Sequence, residues 1–180
     1  MRVDLSNNSM IACLCEGGAE TAIMDILLDN GLLLFDRDRL IEHRVLPRVP
    51  ARTFEQRYLR AEYEGKIVVL RIIDSRNEGF SLKKIYHDKV EVVTVITAPE
   101  IEMLIIVKEG KYKDYSSSGI KKPSEYCKSV LGYKEVKTVD FIKRYFSDSK
   151  DLVSAIKKYH GIHKQKPGEA SLYDLLKNKT

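Results

Sequence analysis

Two acidic residues directly follow the two most apolar runs of the chain. Glu16 comes after the run Met10–Cys15, and Asp74 comes after the run Lys66–Ile73. If both runs are strands of one parallel sheet, their carboxyl ends meet at the edge where open α/β sheets bind ligands. Paired carboxylates suit Mg²⁺, which binds through one or two of them while it keeps several waters. The sequence therefore predicts a Mg²⁺ (or Mn²⁺) site at this edge, with Glu16 and Asp74 as metal ligands.

Small and acidic residues flank both positions. Gly17 and Gly18 follow Glu16, and the absence of a side chain lets the backbone approach a ligand closely there. Glu20 and Glu78 add two further carboxylates. Each has an alternative interpretation, as a carboxylate that stabilises a helix N-terminus through the helix dipole.

The elements that must position these residues alternate between strand and helix over the first 107 residues. β-Branched and apolar runs predict strands at Met10–Cys15, Gly31–Phe35, Lys66–Ile73 and Lys89–Thr97. Helical spacing predicts a charged turn at Asp36–Ile41 and helices at Ala19–Asp29, Ala51–Tyr63, Gly79–His87 and Pro99–Lys108. This alternation predicts an α/β fold with a parallel central sheet flanked by helices.

The alternation of predicted strands and helices ends near residue 110. A loop is predicted over Lys111–Pro123, followed by helices at Ser124–Leu131, Val139–Phe146, Ser149–His160 and Ser171–Leu176. We therefore expect an α/β domain over residues 1–110 and a basic helical region over 111–180 that packs on it. Hydrophobic residues make up 43% of the chain and charged residues 32%, which excludes wholesale disorder.

Positive charge is concentrated in the second part of the chain. Residues 108–180 contain 17 basic and 9 acidic residues, whereas residues 1–107 have a net charge of −3. Lysines that alternate with aromatic residues can bind phosphates while the rings stack on bases. The alternative places the rings in the core and leaves the lysines solvated. The candidate nucleic-acid-binding lysines are Lys121, Lys122, Lys128, Lys134 and Lys137, and the aromatic residues are Tyr126, Tyr133, Phe141 and Tyr145.

Three segments together resemble the TOPRIM domains of topoisomerases, primases and several nucleases, and most closely the RloB-like and abortive-infection branch. The segment Cys15–Thr21, with its Glu-Gly pair and second acid, resembles the opening of these domains. Ile72–Glu78 resembles their acidic strand end, and Thr97–Leu104 resembles a strand that leads through Ala-Pro into a helix with an internal Glu. The matches occur in the family's order over roughly residues 10–107, with a weaker match in Tyr126–Lys137.

The resemblance implies a TOPRIM-like, Mg²⁺-dependent nuclease or nucleic-acid-processing protein, including a role in phage defence. Glu16 would be the general acid/base, Asp74 would hold metal, and Glu102 would be a further catalytic residue, either as a ligand or by orienting a basic residue. Where the family has Asp-x-Asp, this chain has Arg76 at the second position. Glu78 would then replace the missing ligand, or the site binds one metal weakly, or catalysis has been lost. Arg76 itself could clamp a phosphate.

The competing hypothesis is a non-catalytic nucleic-acid-binding or regulatory protein with a degenerate TOPRIM site. Because the chain has no Walker A motif, we expect nucleoside triphosphate use to reside in a separate partner protein, such as an ATPase. No apolar run reaches the roughly 20 residues of a membrane span, and the first residues lack a signal-peptide pattern. With three cysteines expected to be reduced, Cys13, Cys15 and Cys127, these features predict a cytoplasmic protein. His160 and His163 are expected at a solvent-exposed helix end.

Overall fold

A parallel β-sheet forms the centre of the protein. The computed structural model describes residues 5, 9–63, 65–97, 101–163, 166 and 169–177. Within them the sheet has four strands in the order β2-β1-β3-β4. Their bounds are β1 Met10–Cys15, β2 Leu46–Pro47, β3 Ile67–Ile73 and β4 Val90–Ile96. The predicted α/β fold with a parallel sheet flanked by helices is confirmed, and it is consistent with a Rossmann-like arrangement.

Helices lie between the strands and after the last of them. The α-helices are α1 Gly18–Asp29, α2 Ala51–Tyr58, α3 Met103–Lys108, α4 Tyr112–Ser117, α5 Pro123–Ser129, α6 Val139–Tyr145, α7 Ser149–Ile162 and α8 Leu172–Leu175. Short 3₁₀ helices occupy Arg37–Arg39, Ile41–His43 and Lys84–Tyr86. None of the described helices is long and apolar enough to cross a membrane.

The strand β3 is an inner strand of the sheet: it pairs with β1 on one side and β4 on the other, and all seven of its residues are buried. A sheet covered by helices on both faces buries its central strands completely, which explains the continuous β-branched run. One large buried cluster lies on the face of α1, α3 and α7, and a smaller one lies on the face of α2. Burial of each large aliphatic side chain contributes about 1.5–3 kcal/mol before the entropy cost of ordering is subtracted.

Residues on both sides of the predicted boundary at residue 110 share the larger cluster. The helix α7 packs against α3, and α6 packs against α1. The segment before α8 also reaches the sheet, because Ala170 forms a parallel bridge with Val95 of β4. The basic region therefore packs against the helices of the α/β part and against the β4 edge of the sheet.

Two predicted elements of the α/β part are wrong. Gly31–Phe35 is not a strand: Leu33 forms a single antiparallel bridge with Leu176. The segment is apolar because Leu33 and Phe35 are buried in the core, whereas Leu34 is exposed. The predicted helix Gly79–His87 is reduced to the 3₁₀ turn Lys84–Tyr86. The short strand β2 went unpredicted, since Pro47 reads as a breaker, yet Leu46 and Pro47 pair with Leu14 and Cys15.

Other predicted boundaries moved. The helix predicted over Ala51–Tyr63 ends at Tyr58. The predicted loop Lys111–Pro123 contains the helix α4, because Tyr112 and Tyr115 are spaced to pack on the core from one helical face. The helix predicted from Pro99 is observed from Met103, and residues 98–100, including Pro99, lie outside the described part.

Candidate metal centre at the carboxyl edge of the sheet

Glu16 and Asp74 lie side by side at the carboxyl ends of neighbouring strands. β1 and β3 pair in parallel with Cys15 opposite Ile72, so the residues that follow each strand leave the sheet together. The Oε2 atom of Glu16 accepts a hydrogen bond of 2.9 Å from the backbone N–H of Asp74. The proximity expected from the sequence is therefore observed, and it depends on the parallel register of the two strands.

A cleft of about 160 Å³ opens beside this pair. The carboxylates that line it are Glu16, Glu20, Asp74 and Glu102, and the other lining residues are Gly17, Gly18, Ala19, Ile101 and Lys137. The predicted convergence of Glu16, Asp74 and Glu102 at one edge is thus present. The first turn of α1 forms one wall, and a segment that follows β4 forms the opposite wall.

Glu20 shows the electrostatic consequence of placing several acids in one cleft. Its residue is 8% exposed. Burial raises the pKa of the Glu20 carboxyl, and the carboxylates of Asp74 and Glu16 add to the rise, whereas Lys137 opposes it. Like charges near one another disfavour ionisation, so a bound cation would relieve this repulsion.

Glu102 is the most deeply buried acid of the cleft, with 1% of its residue exposed. Its Oε1 atom lies 3.4 Å from Nζ of Lys137, whose side chain is 62% exposed. This geometry matches one of the two expected roles of Glu102, that of orienting a basic residue. Lys137 was expected on a nucleic-acid surface, and it lies at the mouth of the acidic cleft.

Gly18 brings the Lys137 segment close to α1. A Cβ atom at Gly18 would lie 3.2 Å from the backbone oxygen of Lys137 and 3.3 Å from Cγ2 of Val139. These separations are too short for an unstrained side chain, so glycine permits the close approach that places Lys137 opposite Glu102.

Glu78 occupies a different position from the one expected of a metal ligand. Its Oε1 atom accepts a 3.0 Å hydrogen bond from Arg71, and its Oε2 atom accepts a 2.7 Å bond from Arg48. Arg71 lies in β3 with a side chain that is only 4% exposed, so its charge requires a counter-ion. The contacts favour a role for Glu78 as that counter-ion over the predicted metal role.

Arg48 connects this pair to the cleft. It follows β2, and its Nη1 atom donates to Oε1 of Glu16 at 2.8 Å as well as to Glu78. Both oxygens of Glu16 therefore accept hydrogen bonds, one from Arg48 and one from the backbone of Asp74.

Arg76 points to the C-terminal segment. Its guanidinium forms a bidentate pair with Glu169, at 2.7 Å from Nε to Oε1 and 3.2 Å from Nη2 to Oε2. Arg76 does not line the cleft among the described residues. Phosphate binding by Arg76 would require this pair to open, and it stays a prediction.

The donor set fits one hydrated divalent ion better than a closed metal cage. Among the described residues no group of three or more His, Cys, Asp or Glu side chains is arranged to hold a metal ion. An ion that keeps several waters needs only one or two carboxylates, which Asp74 and Glu16 could supply. The side chains of the cleft that could coordinate a metal are all carboxylates, and oxygen ligands are those that Mg²⁺ prefers.

The basic residues form a groove next to the cleft. Lys128, Lys134 and Lys137 line an open depression of about 470 Å³, and Lys137 belongs to both the groove and the cleft. Glu125 and Glu135 also line the groove. Lys121 and Lys122 are exposed at the start of α5 and do not line it.

The aromatic residues of the basic region pack within or against the core. Tyr133, Phe141 and Tyr145 pack against one another with ring centroids 5.5 Å apart, and Tyr126 packs edge-on against Tyr115. The hydroxyls of Tyr133 and Tyr145 both donate to Oε1 of Glu109. Tyr126 and Phe141 are buried, and Tyr133 and Tyr145 are half-buried against the core. These contacts favour the alternative, in which the rings pack on the core, and base stacking stays a prediction.

The sequence analysis did not predict the ion-pairing roles of two arginines or the half-buried position of one histidine. Arg71 is the single charged residue of an otherwise apolar strand, a pattern that signals a buried ion pair and that sequence analysis passed over. Arg48 gave no signal, because its role depends on a two-residue strand. His160, expected at an exposed helix end, is half-buried and stacks on Tyr173.

The three cysteines are free and buried, as expected.

Comparisons with protein-family models, with curated proteins and with solved structures found no match to this chain.

Proposed function

We propose that this protein is a TOPRIM-like, Mg²⁺-dependent nuclease or nucleic-acid-processing protein. The observation that carries the proposal is the shared cleft at the carboxyl edge of the sheet, where Glu16, Asp74 and Glu102 meet the exposed Lys137. Ligand binding at this edge is the general behaviour of open α/β sheets. A divalent ion bound there would stabilise negative charge on a scissile phosphate and polarise water.

The residues of the cleft divide the remaining work. Asp74 and Glu16 supply oxygen ligands, and Glu16 also exchanges a proton as general acid/base. Lys137 is held by Glu102 at the mouth, where its ammonium contacts a phosphate oxygen. Burial and the neighbouring carboxylates raise the pKa of Glu20, so this carboxyl holds its proton to a higher pH than an ordinary carboxyl does.

The groove of Lys128, Lys134 and Lys137 supplies the binding surface for the polyanion. Because it shares Lys137 with the cleft, a strand that lies in the groove leads its backbone to the acidic site. Phosphate neutralisation by lysines is independent of base sequence and depends strongly on salt. The proposal therefore includes phosphate contacts without base readout by the groove.

Charge reversal in the groove tests this proposal. Lys128→Glu combined with Lys134→Glu should weaken binding of single-stranded DNA and RNA and lower Mn²⁺-dependent cleavage in parallel. Each lost phosphate contact reduces the log–log salt slope by roughly 0.7–0.9. Lys84→Glu with Lys89→Glu makes the same charge change at exposed positions away from the groove and is the control. Equal binding by both double variants would refute the proposed surface.

A non-catalytic binding protein on the same fold is the second candidate. One observation favours it: Glu16 is already engaged by Arg48 and by the Asp74 N–H, which keeps its carboxylate satisfied without metal. In that case the groove variants lose binding, but the unaltered protein cleaves neither DNA nor RNA at any Mn²⁺ concentration.

A further inference from the structure

A second cavity lies beside the acidic cleft, at the carboxyl end of β4. Thr97 follows β4 on one side, α7 forms the roof, and α8 with its preceding residue Ser171 closes the other side. Ile101 lines both the cavity and the cleft, so the two adjoin at this residue. The cavity has a volume of about 40 Å³ and opens to the surface.

Two buried polar atoms in the cavity wall have no hydrogen-bond partner within the described part of the chain. They are Oγ1 of Thr97, whose residue is 6% exposed, and Nδ1 of His160. A buried polar group without a partner is costly and rare in folded proteins. Thr97 and His160 both line the same cavity, so a guest bound there is a candidate partner for both atoms.

Flat rings form much of the remaining wall. His160 stacks on Tyr173 with centroids 4.0 Å apart and planes 15° from parallel. Tyr159 of α7 stacks on His163, the residue that follows α7, with centroids 5.1 Å apart and planes 18° from parallel. The other lining side chains include Ile96, Leu104 and Ile156, which are aliphatic. Ring faces and aliphatic walls suit a flat heteroaromatic guest.

We propose that this cavity binds a pyrimidine base of the nucleic acid, a proposal that rests on the function proposed above. The cavity is small and opens to the surface, so a single six-membered ring fits it better than a bicyclic purine does. A pyrimidine carries donors and acceptors on its edge, which Thr97 and His160 satisfy. The shared Ile101 places a base in the cavity next to a phosphate in the cleft.

Nucleoside titrations without divalent metal test the cavity alone. Cytidine and uridine should shift the NMR signals of the Thr97 methyl group and of the His160 ring, whereas adenosine should not. Thr97→Val keeps the shape but removes the hydroxyl, and His160→Phe keeps a flat ring but removes Nδ1. Each should weaken pyrimidine binding about tenfold, the effect of roughly one lost hydrogen bond. Thr94→Val, on β4 outside the cavity, is the matched control and should bind normally.

Stability measurements keep the variants interpretable. Because its hydroxyl has no partner, Thr97→Val should unfold at the same temperature as the unaltered protein or higher. A marked loss of stability would show that the hydroxyl has a partner in the fold and would overturn the inference. Pyrimidine binding that is equal in Thr97→Val and the unaltered protein, absent from both, or matched by adenosine would also overturn it.

The polymer arm distinguishes a base of the nucleic acid from a free nucleoside. A pyrimidine oligonucleotide should bind more tightly than a purine oligonucleotide of equal length, and Thr97→Val should abolish the difference. No preference between the oligonucleotides, with cytidine still bound, would overturn the assignment to a polynucleotide. If Mn²⁺ neither binds nor supports cleavage while pyrimidines still bind, the proposed function fails and the cavity assignment to a base stands.

Discussion

Glu78→Gln separates a counter-ion role for Glu78 from a metal-ligand role. The substitution keeps an oxygen that can accept from Arg71 but removes the negative charge. Arg71 has a 4% exposed side chain and donates to both the Oε1 atom and the backbone oxygen of Glu78. Its guanidinium also lies over the Phe80 ring at 5.0 Å. The substitution therefore leaves a buried positive charge without its anion.

The loss of stability expected for Glu78→Gln follows from the solvent exposure of Glu78 and of its ion-pair partners. Removing one partner of a fully buried pair costs about 3–5 kcal/mol. Because the Glu78 side chain is 30% exposed, water compensates part of this, and we expect about 2–3 kcal/mol. The second pair, with the 45% exposed Arg48, adds at most about 1 kcal/mol. The unfolding temperature should fall by about 5–10 °C for a chain of this size.

The assay is urea unfolding followed by circular dichroism, in EDTA and again in Mg²⁺. Glu91→Gln, an exposed acid on β4, is the control for the charge change and should lie within about 0.5 kcal/mol of the unaltered protein. Arg48→Gln should cost less than Glu78→Gln, since its side chain is more exposed. The counter-ion role would be refuted if Glu78→Gln lost stability only in Mg²⁺, or lost none.

Two further predictions concern the cleft. Folding raises the pKa of Glu20, so ionisation of this carboxyl destabilises the fold as the pH rises above about 4.5, its ordinary value. Glu20→Gln should therefore raise the unfolding temperature at pH 8, and this gain should disappear below pH 4.5. Thermal scans across this pH range in metal-free buffer measure the gain. A gain that does not depend on pH would contradict ionisation of Glu20 as its cause. Gly18→Ala should cost about 1–3 kcal/mol, because its Cβ meets the Lys137 backbone at 3.2 Å. Gly161→Ala in α7 is the matched control, because a Cβ atom added there has no neighbour within 4 Å; this variant should be about 0.5–1 kcal/mol more stable than the unaltered protein. Equal urea midpoints for the two variants would refute the close approach at Gly18.

The sequence predicted the strands that carry the site, and the reason is their composition. Met10–Cys15 and Ile67–Ile73 are apolar throughout except for Arg71, and such runs have few alternatives to a buried strand. Once these strands are parallel neighbours, Glu16 and Asp74 must lie together, so the pairing of the two acids followed from the fold class.

The partners of the acids could not be predicted in the same way. Arg48 reaches Glu16 only because the two residues Leu46 and Pro47 extend the sheet, and a two-residue strand has no periodicity. The Lys137–Glu102 contact joins elements that are far apart in sequence and depends on the absence of a side chain at Gly18. These contacts are set by tertiary packing, which a local pattern does not encode.

The aromatic residues of the basic region show that one sequence pattern can fit two different structures. Alternation of lysine with Tyr133 and Phe141 is equally typical of a base-stacking surface and of a helix that buries its rings. In the structure the two rings pack on the core, and Lys128, Lys134 and Lys137 line an open groove, which favours the second interpretation for the rings.

Thermal unfolding with and without Mn²⁺, for the unaltered protein and for Asp74→Asn, tests the central claim most directly. Asp74→Asn keeps the shape of the side chain and removes the charge that a divalent ion requires. An ion that binds the folded state adds about 1.4–2.7 kcal/mol at 10–100 times its Kd. We therefore predict that Mn²⁺ raises the unfolding temperature of the unaltered protein by about 3–10 °C and that of Asp74→Asn hardly at all. Equal shifts in both proteins, or no shift in either, would contradict a metal site at Glu16 and Asp74.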